Sequence, residues 1–420
     1  MTGEGGGHTG RRVVITGSGL LSPLGDTSGR LHEALCAGRS GLKETEFEEM
    51  PELGRPLAGA IDFDPREYLV GGKLRPLDRV GRMVISAARL ALESADLPAE
   101  ACLEREIGLV LGTMFCSVHT IVAFDQRALE AGPKYVRPFD FANTVINAAA
   151  GQTAIWHRLR GVNSTLAGGT AAGLEALAYA ADLIRTGRSE IVLAGGSDEL
   201  CCESYLSFQR TGQLGAGQPV PFDERSDGFA LSEGAALLVL ESENSARERG
   251  AQILATLEGH ASGFDPSRGR DADESRRYIA RTLGLAMHDA GVDSAGIDAV
   301  SSSANGLPDH DRREALGLRD AFRGRSSPVP TSAVKAMLGE ALGASGALQS
   351  LSLLESLRSG VLPGIPQLKG AAEADLMERG GGAFSLAGGS REIEMRRGLI
   401  SAVGLDGNIC AMVMAAGAPS

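Results

Sequence analysis

The sequence predicts an α/β protein in which buried strands form layers that are covered by helices. Short runs of β-branched residues alternate with Ala- and Leu-rich segments of helical spacing, which is typical of parallel α/β layers. The 420 residues include 57 glycines, about twice the average share, and only 4% aromatics, which indicates close packing of backbone on backbone. Because the same pattern recurs further along the chain, we predict two similar halves, 11–252 and 253–420, after a disordered tail at 1–10.

The first half begins with an apolar strand, Val13–Gly17, that runs into a loop rich in Gly, Ser and Pro. A later helix over 171–186 places its apolar residues on one face, and Gly187 stands where helices commonly end. The other elements of this half are a helix over 78–95 and strands at Ile107–Thr113 and Ile191–Gly196.

In the second half, a strand begins near Ile253. The segment 370–395 combines glycines and charged residues without clear periodicity, so we predict a surface loop there. The remaining predicted elements are a helix over 274–290, a strand at 298–303, a Gly- and Ala-rich helix starting near Lys335, and strands at 398–403 and 409–415.

Composition argues against several classes of function. The formal net charge is −12 and no stripe of Lys and Arg is present, which argues against nucleic-acid binding. No apolar run approaches the ~20 residues of a membrane span, and the first residues lack a signal peptide's apolar stretch, so we expect a cytoplasmic protein without membrane contact. The six cysteines and seven histidines show no metal-ligand spacing, so we expect no metal, disulfide framework or cofactor. His310 lies in a polar stretch, where a solvated imidazole is expected.

Two glycine-containing segments resemble functional motifs but lack residues that those motifs require. Gly17-Ser-Gly19 follows the first strand, but Ser22 replaces the third glycine of a dinucleotide fingerprint and no helix follows at once. The segment 169–173 has the glycine spacing of a hydrolase nucleophile elbow, yet its central residue is Ala171, which has no nucleophile. Neither a nucleotide site nor a serine hydrolase is supported.

Six segments together resemble one protein family, in the family's own order. The chain is similar, over nearly its whole length, to the beta-ketoacyl-ACP synthases of the thiolase superfamily. This resemblance implies a thiolase-like, five-layered αβαβα fold made of two duplicated halves. The segments that carry it are RRVVITGSGLLSPLG at 11–25, Gly132-Pro133-Lys134 with 151–161, then 172–199, 221–241, 334–351, and SAVGLDGN at 401–408.

Active members of this family use a cysteine nucleophile at a helix N-terminus and two histidines. The helix dipole lowers the pKa of the thiol, and the histidines stabilise the enolate formed from malonyl-ACP. By the resemblance, the cysteine position here is Thr170 and the histidine positions are Asn305 and Glu340. Of this set of four, only Lys335 is retained, and Asp311 is retained in a nearby shortened loop.

These replacements remove the catalytic groups. The hydroxyl pKa of a threonine is far too high for a helix N-terminus to ionise it, and Thr170 has no neighbouring histidine to act as base. An ionised Glu340 would repel a developing enolate. Gln349 also stands where a buried glutamate is usual in the family. We therefore expect an interior cluster of hydrogen-bonded polar side chains that carries out no catalysis.

The resemblance is closer to a catalytically silent class within this family, the beta subunits or chain length factors of type II polyketide ketosynthases. It covers the segment 165–177, the shortened loop from Pro308 to Glu314, and PFDER at 221–225. It implies a heterodimer with an active ketosynthase alpha subunit, which elongates polyketide chains on an acyl carrier protein with malonyl units. Many such subunits have glutamine at the position of Thr170, so its absence here weakens any priming role by decarboxylation.

In that class, side chains of the beta subunit end a tunnel along the heterodimer interface and limit the product's length. The matching segment here is 113–125, and its predicted lining positions share one helical face. A bulky side chain there would make a longer product costly through overpacking. For the apolar members, a place in the core is the alternative. The predicted tunnel residues are Val118, Ile121, Val122 and Asp125, and the predicted gating-loop residues are Gly404 and Leu405.

Two other functions stay open. The chain could be an active acyl-transfer enzyme that uses Thr170 or a relocated cysteine, with Cys116, Cys201 and Cys202 as candidates. It could also be a homodimeric binding protein that is stable without a partner. Because acyl carrier proteins of this class are acidic, a chain of net charge −12 is expected to leave carrier docking mainly to its partner.

Overall fold

A computed structural model describes residues 10–69, 74–267, 270–368 and 382–417, so residues 1–9 of the predicted tail at 1–10 and residues 370–381 of the predicted loop lie outside it. The strands are β1 Val13–Leu21, β2 Lys43–Glu44, β3 Leu57–Ala58, β4 Ile107–Thr113, β5 Asn163–Ala167, β6 Ile191–Asp198, β7 Gly234–Ser242, β8 Ala255–Phe264, β9 Ala299–Ser301, β10 Val329–Ser332, β11 Val361–Leu362, β12 Phe384–Ser385, β13 Arg391–Glu392, β14 Arg397–Val403 and β15 Asn408–Ala416. The α-helices are α1 Ser28–Cys36, α2 Pro65–Tyr68, α3 Arg79–Ser94, α4 Ala99–Glu104, α5 Val118–Ala131, α6 Pro138–Phe141, α7 Ala148–His157, α8 Ala172–Arg185, α9 Cys202–Arg210, α10 Glu243–Glu248, α11 Ala272–Asp289, α12 Pro308–Ala321, α13 Lys335–Leu338 and α14 Ser345–Ser359.

Eleven of the described strands form one sheet, in the order β12-β10-β9-β14-β15-β8-β1-β7-β6-β4-β5. From β1 outward, two antiparallel pairs, β1–β7 and β7–β6, precede two parallel pairs, β6–β4 and β4–β5. From β8 outward, the same order of pair directions recurs through β15, β14, β9 and β10. The two repeats meet where β1 pairs with β8. This repetition confirms the predicted duplication, although only the outer strands of each half are parallel.

Three hydrophobic clusters define the layers around the sheet. α8 and α14 fill the central layer and pack on side chains from both halves, among them Leu238 and Ile400. α3 covers the outer face of the first half, where Leu237 and Val239 point away from the central layer because strand side chains alternate. α11 and α12 cover the outer face of the second half, where Leu399 lies. The order of layers is the αβαβα arrangement that the resemblance implied.

Glycine allows the central helices to approach the sheet. A Cβ added to Gly196 on β6 would lie 2.0 Å from the carbonyl oxygen of Gly343, and one added to Gly173 on α8 would lie 2.4 Å from the same oxygen. A Cβ on Gly112 of β4 would lie 2.2 Å from the carbonyl oxygen of Ala172. Real side chains do not fit at these distances, so the expected packing of backbone on backbone is present at the centre of the molecule.

The predicted helix starting near Lys335 is interrupted, which corrects the sequence prediction. α13 ends after one turn because Gly339 adopts a left-handed backbone (φ 77°), and Leu342 does the same at φ 51°. The chain resumes as α14 only at Ser345. An apolar Gly- and Ala-rich pattern gives no signal for this break, because alanine and leucine favour a helix throughout.

Two further predictions are wrong. His310 is not a solvated loop residue: it lies in the first turn of α12, is 1% exposed, and burial together with the positive charge of Arg313 places its pKa well below the ordinary value. The described part of the predicted surface loop includes strand β12, which adds to the sheet beside β10 and buries Phe384. Among the described residues, no helix is both long and apolar enough to cross a membrane.

Candidate functional site

Thr170, the predicted nucleophile position, lies in a single 3-10 turn, Gly169–Ala171, that joins β5 to α8. The first residue of the turn has a left-handed backbone (φ 62°), and a Cβ there would lie 2.6 Å from a carboxylate oxygen of Asp406. Thr170 is 4% exposed, and its Oγ1 accepts a hydrogen bond from the backbone N–H of Leu405 at 3.3 Å. The structure therefore places the predicted gating loop, Gly404 and Leu405, beside the predicted nucleophile position.

The two predicted histidine positions and the retained lysine meet in one buried cluster. One carboxylate oxygen of Glu340 accepts hydrogen bonds from Nζ of Lys335 and from Nδ2 of Asn305, each at 2.8 Å. The other oxygen accepts from Oγ of Ser345 at 2.6 Å. The left-handed turn at Gly339 allows this contact, because it directs the chain back after α13. Sequence reasoning did not single out Ser345, which lies within the segment 334–351 but belongs to the next helix, α14.

This arrangement decides what the cluster can do chemically. Enolate stabilisation requires hydrogen-bond donors that point at the reacting oxygen. Here the carboxylate of Glu340 accepts one hydrogen bond from each of Lys335, Asn305 and Ser345 and itself offers only acceptor lone pairs. No hydrogen bond among the described residues joins Thr170 to Asn305 or Glu340.

Asp311 holds the backbone that presents Asn305. Its carboxylate accepts hydrogen bonds from the N–H groups of Asn305 at 2.9 Å, Gly306 at 3.0 Å and Phe222 at 2.9 Å. Burial raises the pKa of Asp311 to about 7, against the opposing effect of these hydrogen bonds. Glu314, one turn later on α12, accepts from the N–H of Ser303. Asp311 is therefore a positioning residue.

Gln349 lies where the resemblance predicts a buried glutamate. It is 1% exposed on α14, and its Nε2 donates to the carbonyl oxygens of Ser302 at 2.7 Å and Ser401 at 3.2 Å, with Ser301 at 3.4 Å. These partners lie on β9 and β14 or next to them, so the amide ties α14 to two neighbouring strands. Because every partner is an acceptor, the site requires a donor.

We expect Gln349→Glu to destabilise the protein by about 2–3 kcal/mol at neutral pH, because an ionised carboxylate cannot donate to those carbonyls and would be buried without a partner. Gln349→Met keeps the volume and adds no charge, so it should cost less. Chemical denaturation of the three proteins measures the difference. A glutamate variant as stable as the wild type would show that the amide donor has no role.

Two acidic side chains, Glu175 and Asp406, lie beside the turn that contains Thr170. A Cβ on Gly168 would lie 2.0 Å from Oε2 of Glu175, and Asp406 lies against the next residue. Burial, with a smaller effect from the carboxylate of Asp406, raises the pKa of Glu175 to about 7. Glu175 therefore carries a proton in the folded protein at a pH where it is ionised in the unfolded chain.

This pKa predicts a direction of pH dependence. A raised folded-state pKa contributes stability that is fully present below the ordinary glutamate value and is lost as pH rises through about 7. Since Glu175 is partly exposed, we expect about 1–2 kcal/mol from it. Glu175→Gln should flatten the fall in melting temperature between pH 5 and 8, which thermal unfolding across that range measures. The same slope in both proteins would contradict the prediction.

The predicted tunnel residues lie on α5, and the structure does not place them in the core. Val118, Ile121 and Val122 are partly exposed, Asp125 is exposed, and α5 contains no buried residue. The helix rests on the surface near α6 and α9, with the rings of Phe124 and Phe141 5.9 Å apart. The alternative that these apolar side chains fill the core of this chain is therefore wrong.

A surface that the sequence analysis missed continues from α5 to the edge of the sheet. Its members are large hydrophobic side chains exposed to solvent on α5, on α7 and in the segment between them, and α7 contacts β5, the last strand of the sheet. We call this surface the apolar face; it comprises Leu129, Tyr135, Phe139, Phe141, Val145, Ile146 and Ile155, which are 43–86% exposed. Patches of this kind mark protein interfaces, and an unpaired edge strand can pair with another chain. The segment 135–146 gave no sequence signal because its apolar residues follow neither strand nor helix spacing.

The cysteines are unpaired and mostly buried. Cys116, Cys201 and Cys202, the candidates for a relocated nucleophile, are 1%, 7% and 2% exposed. Burial raises the pKa of Cys116 to about 12, so its thiol is protonated at neutral pH. None of the three forms a hydrogen bond with Thr170 among the described residues.

Comparison with known proteins agrees with this geometry. Residues 10–246 match the beta-ketoacyl synthase N-terminal domain and residues 254–369 match the C-terminal domain. The chain is 32% identical to polyketide beta-ketoacyl synthase 2 of Streptomyces halstedii, over 97% of this chain and 98% of that protein. It is 30% identical to 3-oxoacyl-[acyl-carrier-protein] synthase 2 of Vibrio cholerae, over 84% of this chain and 87% of that protein. The solved structure of the ishigamide ketosynthase/chain length factor superposes with a TM-score of 0.89 at 28% identity, covering 98% of this chain and 100% of that one. The chain therefore belongs to the beta-ketoacyl synthase family, as a ketosynthase-like subunit of the polyketide type.

Proposed function

We propose that the chain is the silent subunit, or chain length factor, of a type II polyketide ketosynthase. It pairs with an active ketosynthase alpha subunit and limits the length of the polyketide that the partner builds from malonyl units on an acyl carrier protein. The observation that carries the proposal is the Glu340 carboxylate, which stands at a predicted histidine position and accepts a hydrogen bond from each of Asn305, Lys335 and Ser345.

The absence of catalytic activity follows from the groups that are missing at the predicted nucleophile and histidine positions. Acyl transfer in this family needs a thiolate, and a threonine hydroxyl at a helix N-terminus stays protonated. Decarboxylation of a malonyl group needs neutral or cationic donors at the forming enolate. At these positions the chain supplies Thr170, whose Oγ1 accepts from Leu405, and Glu340, which is an acceptor. Because the catalytic groups are absent, the role that remains for the retained fold is to bind the active partner subunit.

The apolar face and the free edge of β5 support a heterodimer. Seven large hydrophobic side chains exposed around one sheet edge favour burial against another subunit, and β5 offers backbone groups for pairing. The predicted tunnel residues lie on the adjoining helix α5, exposed or partly exposed. A partner that covers this face would enclose Ile121 and its neighbours, so a tunnel between the two subunits would be lined by them.

The main alternative is an active enzyme with a relocated cysteine. Cys116 is the candidate that directly precedes α5 in the chain, but its thiol is buried and protonated, and its Sγ contacts only the Ser117 hydroxyl among the hydrogen-bonding groups described. Thr170 has neither a thiol nor a base. These observations favour the silent subunit.

The test uses the purified chain with and without an active ketosynthase, each incubated with malonyl and acyl forms of the carrier protein. Intact-protein mass spectrometry should show an acyl adduct on the partner and none on this chain, and the two subunits should elute together by size exclusion. An adduct on this chain alone would establish the active enzyme. A monodisperse homodimer that does not associate with the ketosynthase would establish the binding protein.

A further inference from the structure

One cluster of metal-ligating side chains lies outside the site described above, between α5 and α9. His119 is in the first turn of α5, and Cys202 and Glu203 begin α9. Nδ1 of His119 lies 3.1 Å from Oε1 and 3.3 Å from Oε2 of Glu203. One ligand atom from each of the three residues lies within 4.8 Å of the others.

The donor set and the burial fit one kind of ion. Zinc takes imidazole nitrogen, thiolate sulfur and carboxylate oxygen at about 2.0–2.3 Å in a tetrahedron, so its ligand atoms are roughly 3.3–3.8 Å apart. The three ligand atoms lie within 4.8 Å of one another, so the widest pair would need to approach by no more than about 1 Å to reach that spacing. A thiolate excludes magnesium and calcium, which prefer oxygen ligands alone. Cys202 is 2% exposed whereas the His119 side chain is 38% exposed, so an ion can enter from the side of the imidazole.

The surroundings hold the ligands in place. The backbone N–H of His119 donates to the buried carboxylate of Glu199 at 3.3 Å, which fixes the first turn of α5 over the start of α9. The adjacent thiol of Cys201 also contacts Glu203, but its Sγ lies 3.3 Å from Oγ of Ser204 and is not among the ligand atoms grouped with His119. Cys202 is therefore the thiol of this pair that shares a site with an imidazole and a carboxylate.

We propose that His119, Cys202 and Glu203 form a zinc site, with water as the fourth ligand, that clamps the first turn of α5 to α9. When the Zn–S bond forms, the thiol of Cys202 loses its proton to solvent. The clamp fixes Val118, the neighbour of His119, and through the same turn sets the position of α5. The three ligands come from sequence positions 83 and 84 residues apart, which no metal-binding motif spans.

Cobalt(II) is the probe, because a cobalt–thiolate bond has a charge-transfer absorption in the near ultraviolet. It is added to the complex of this chain with an active ketosynthase, after chelator treatment, and then displaced with zinc. We expect one equivalent per copy of this chain, a thiolate band that zinc removes, and zinc affinity reduced at least about tenfold in Cys202→Ser and in His119→Ala.

Cys201→Ser is the matched control, because it removes the neighbouring buried thiol and should keep the band. His119→Ala, at a partly exposed position, keeps the test valid where Cys202→Ser fails to fold. The proposal is overturned by a wild-type complex without a thiolate band, or by a band that persists in Cys202→Ser. It is also overturned by a band lost equally in Cys201→Ser. The proposed function stands or falls separately, since metal binding is measured without any product.

Discussion

Replacing Glu340 by leucine is expected to cost about 3–5 kcal/mol of folding free energy, because it leaves the ammonium group of Lys335 buried without its carboxylate. Both side chains are 3% exposed or less, so water cannot replace the lost partner. The double variant Lys335→Met with Glu340→Leu removes both charges and should recover most of the loss. Denaturant unfolding of the complex measures each value.

The control for this prediction is the surface pair Arg396–Glu394, whose side chains are more than 80% exposed. Glu394→Ala should change stability by no more than about 1 kcal/mol, because solvent screens an exposed ion pair. If Glu340→Leu changes stability as little as this control does, the buried polar cluster is not tightly held. The argument that Glu340 engages the donors of Lys335, Asn305 and Ser345 then fails.

Changing the size of Ile121 should change the product. Each added C2 unit needs roughly 2.5 Å of tunnel, and overpacking by an intruding side chain costs about 1–3 kcal/mol, enough to stop elongation early. In the complex with an active ketosynthase, we expect Ile121→Trp to shorten the polyketide and Ile121→Ala to lengthen it. Mass spectrometry of the released products reads the change directly.

Glu130 supplies the comparison on the same helix. It is exposed and lies nine residues further on, which is half a turn away around the helix. Glu130→Ala should therefore give wild-type products. Unchanged product masses in both Ile121 variants would remove this face of α5 from the tunnel, whatever the effect on yield.

The sequence predicted the fold well where local pattern decides the outcome. β4 has the predicted bounds, Ile107–Thr113, and α8 differs from its predicted bounds by one residue at each end. Apolar runs of that length with clear boundaries leave little choice of structure. The pattern gave a wrong prediction after Lys335, where Gly339 adopts a left-handed backbone and ends the helix. It also gave a wrong prediction at His310, which is buried although its neighbours in the sequence are polar.

The contacts of the candidate site were not predictable from the sequence. The resemblance predicts that Thr170, Asn305 and Glu340 are replaced catalytic positions, which stays a prediction. It gave no indication that Ser345 donates to Glu340, or that the carboxylate takes up three donors. The apolar face was also missed, because its residues are spread over α5, α7 and the segment between them and follow no single periodic pattern.

The central claim is that this chain performs no chemistry, and Thr170→Ala in the reconstituted pair tests it most directly. The Thr170 hydroxyl accepts one long hydrogen bond, from Leu405, so the variant should fold. We predict polyketide yield and length within about twofold of wild type, whereas the same change at the partner's nucleophilic cysteine abolishes product. A loss of about a thousandfold in Thr170→Ala, with an intact complex, would make Thr170 a nucleophile and contradict the account.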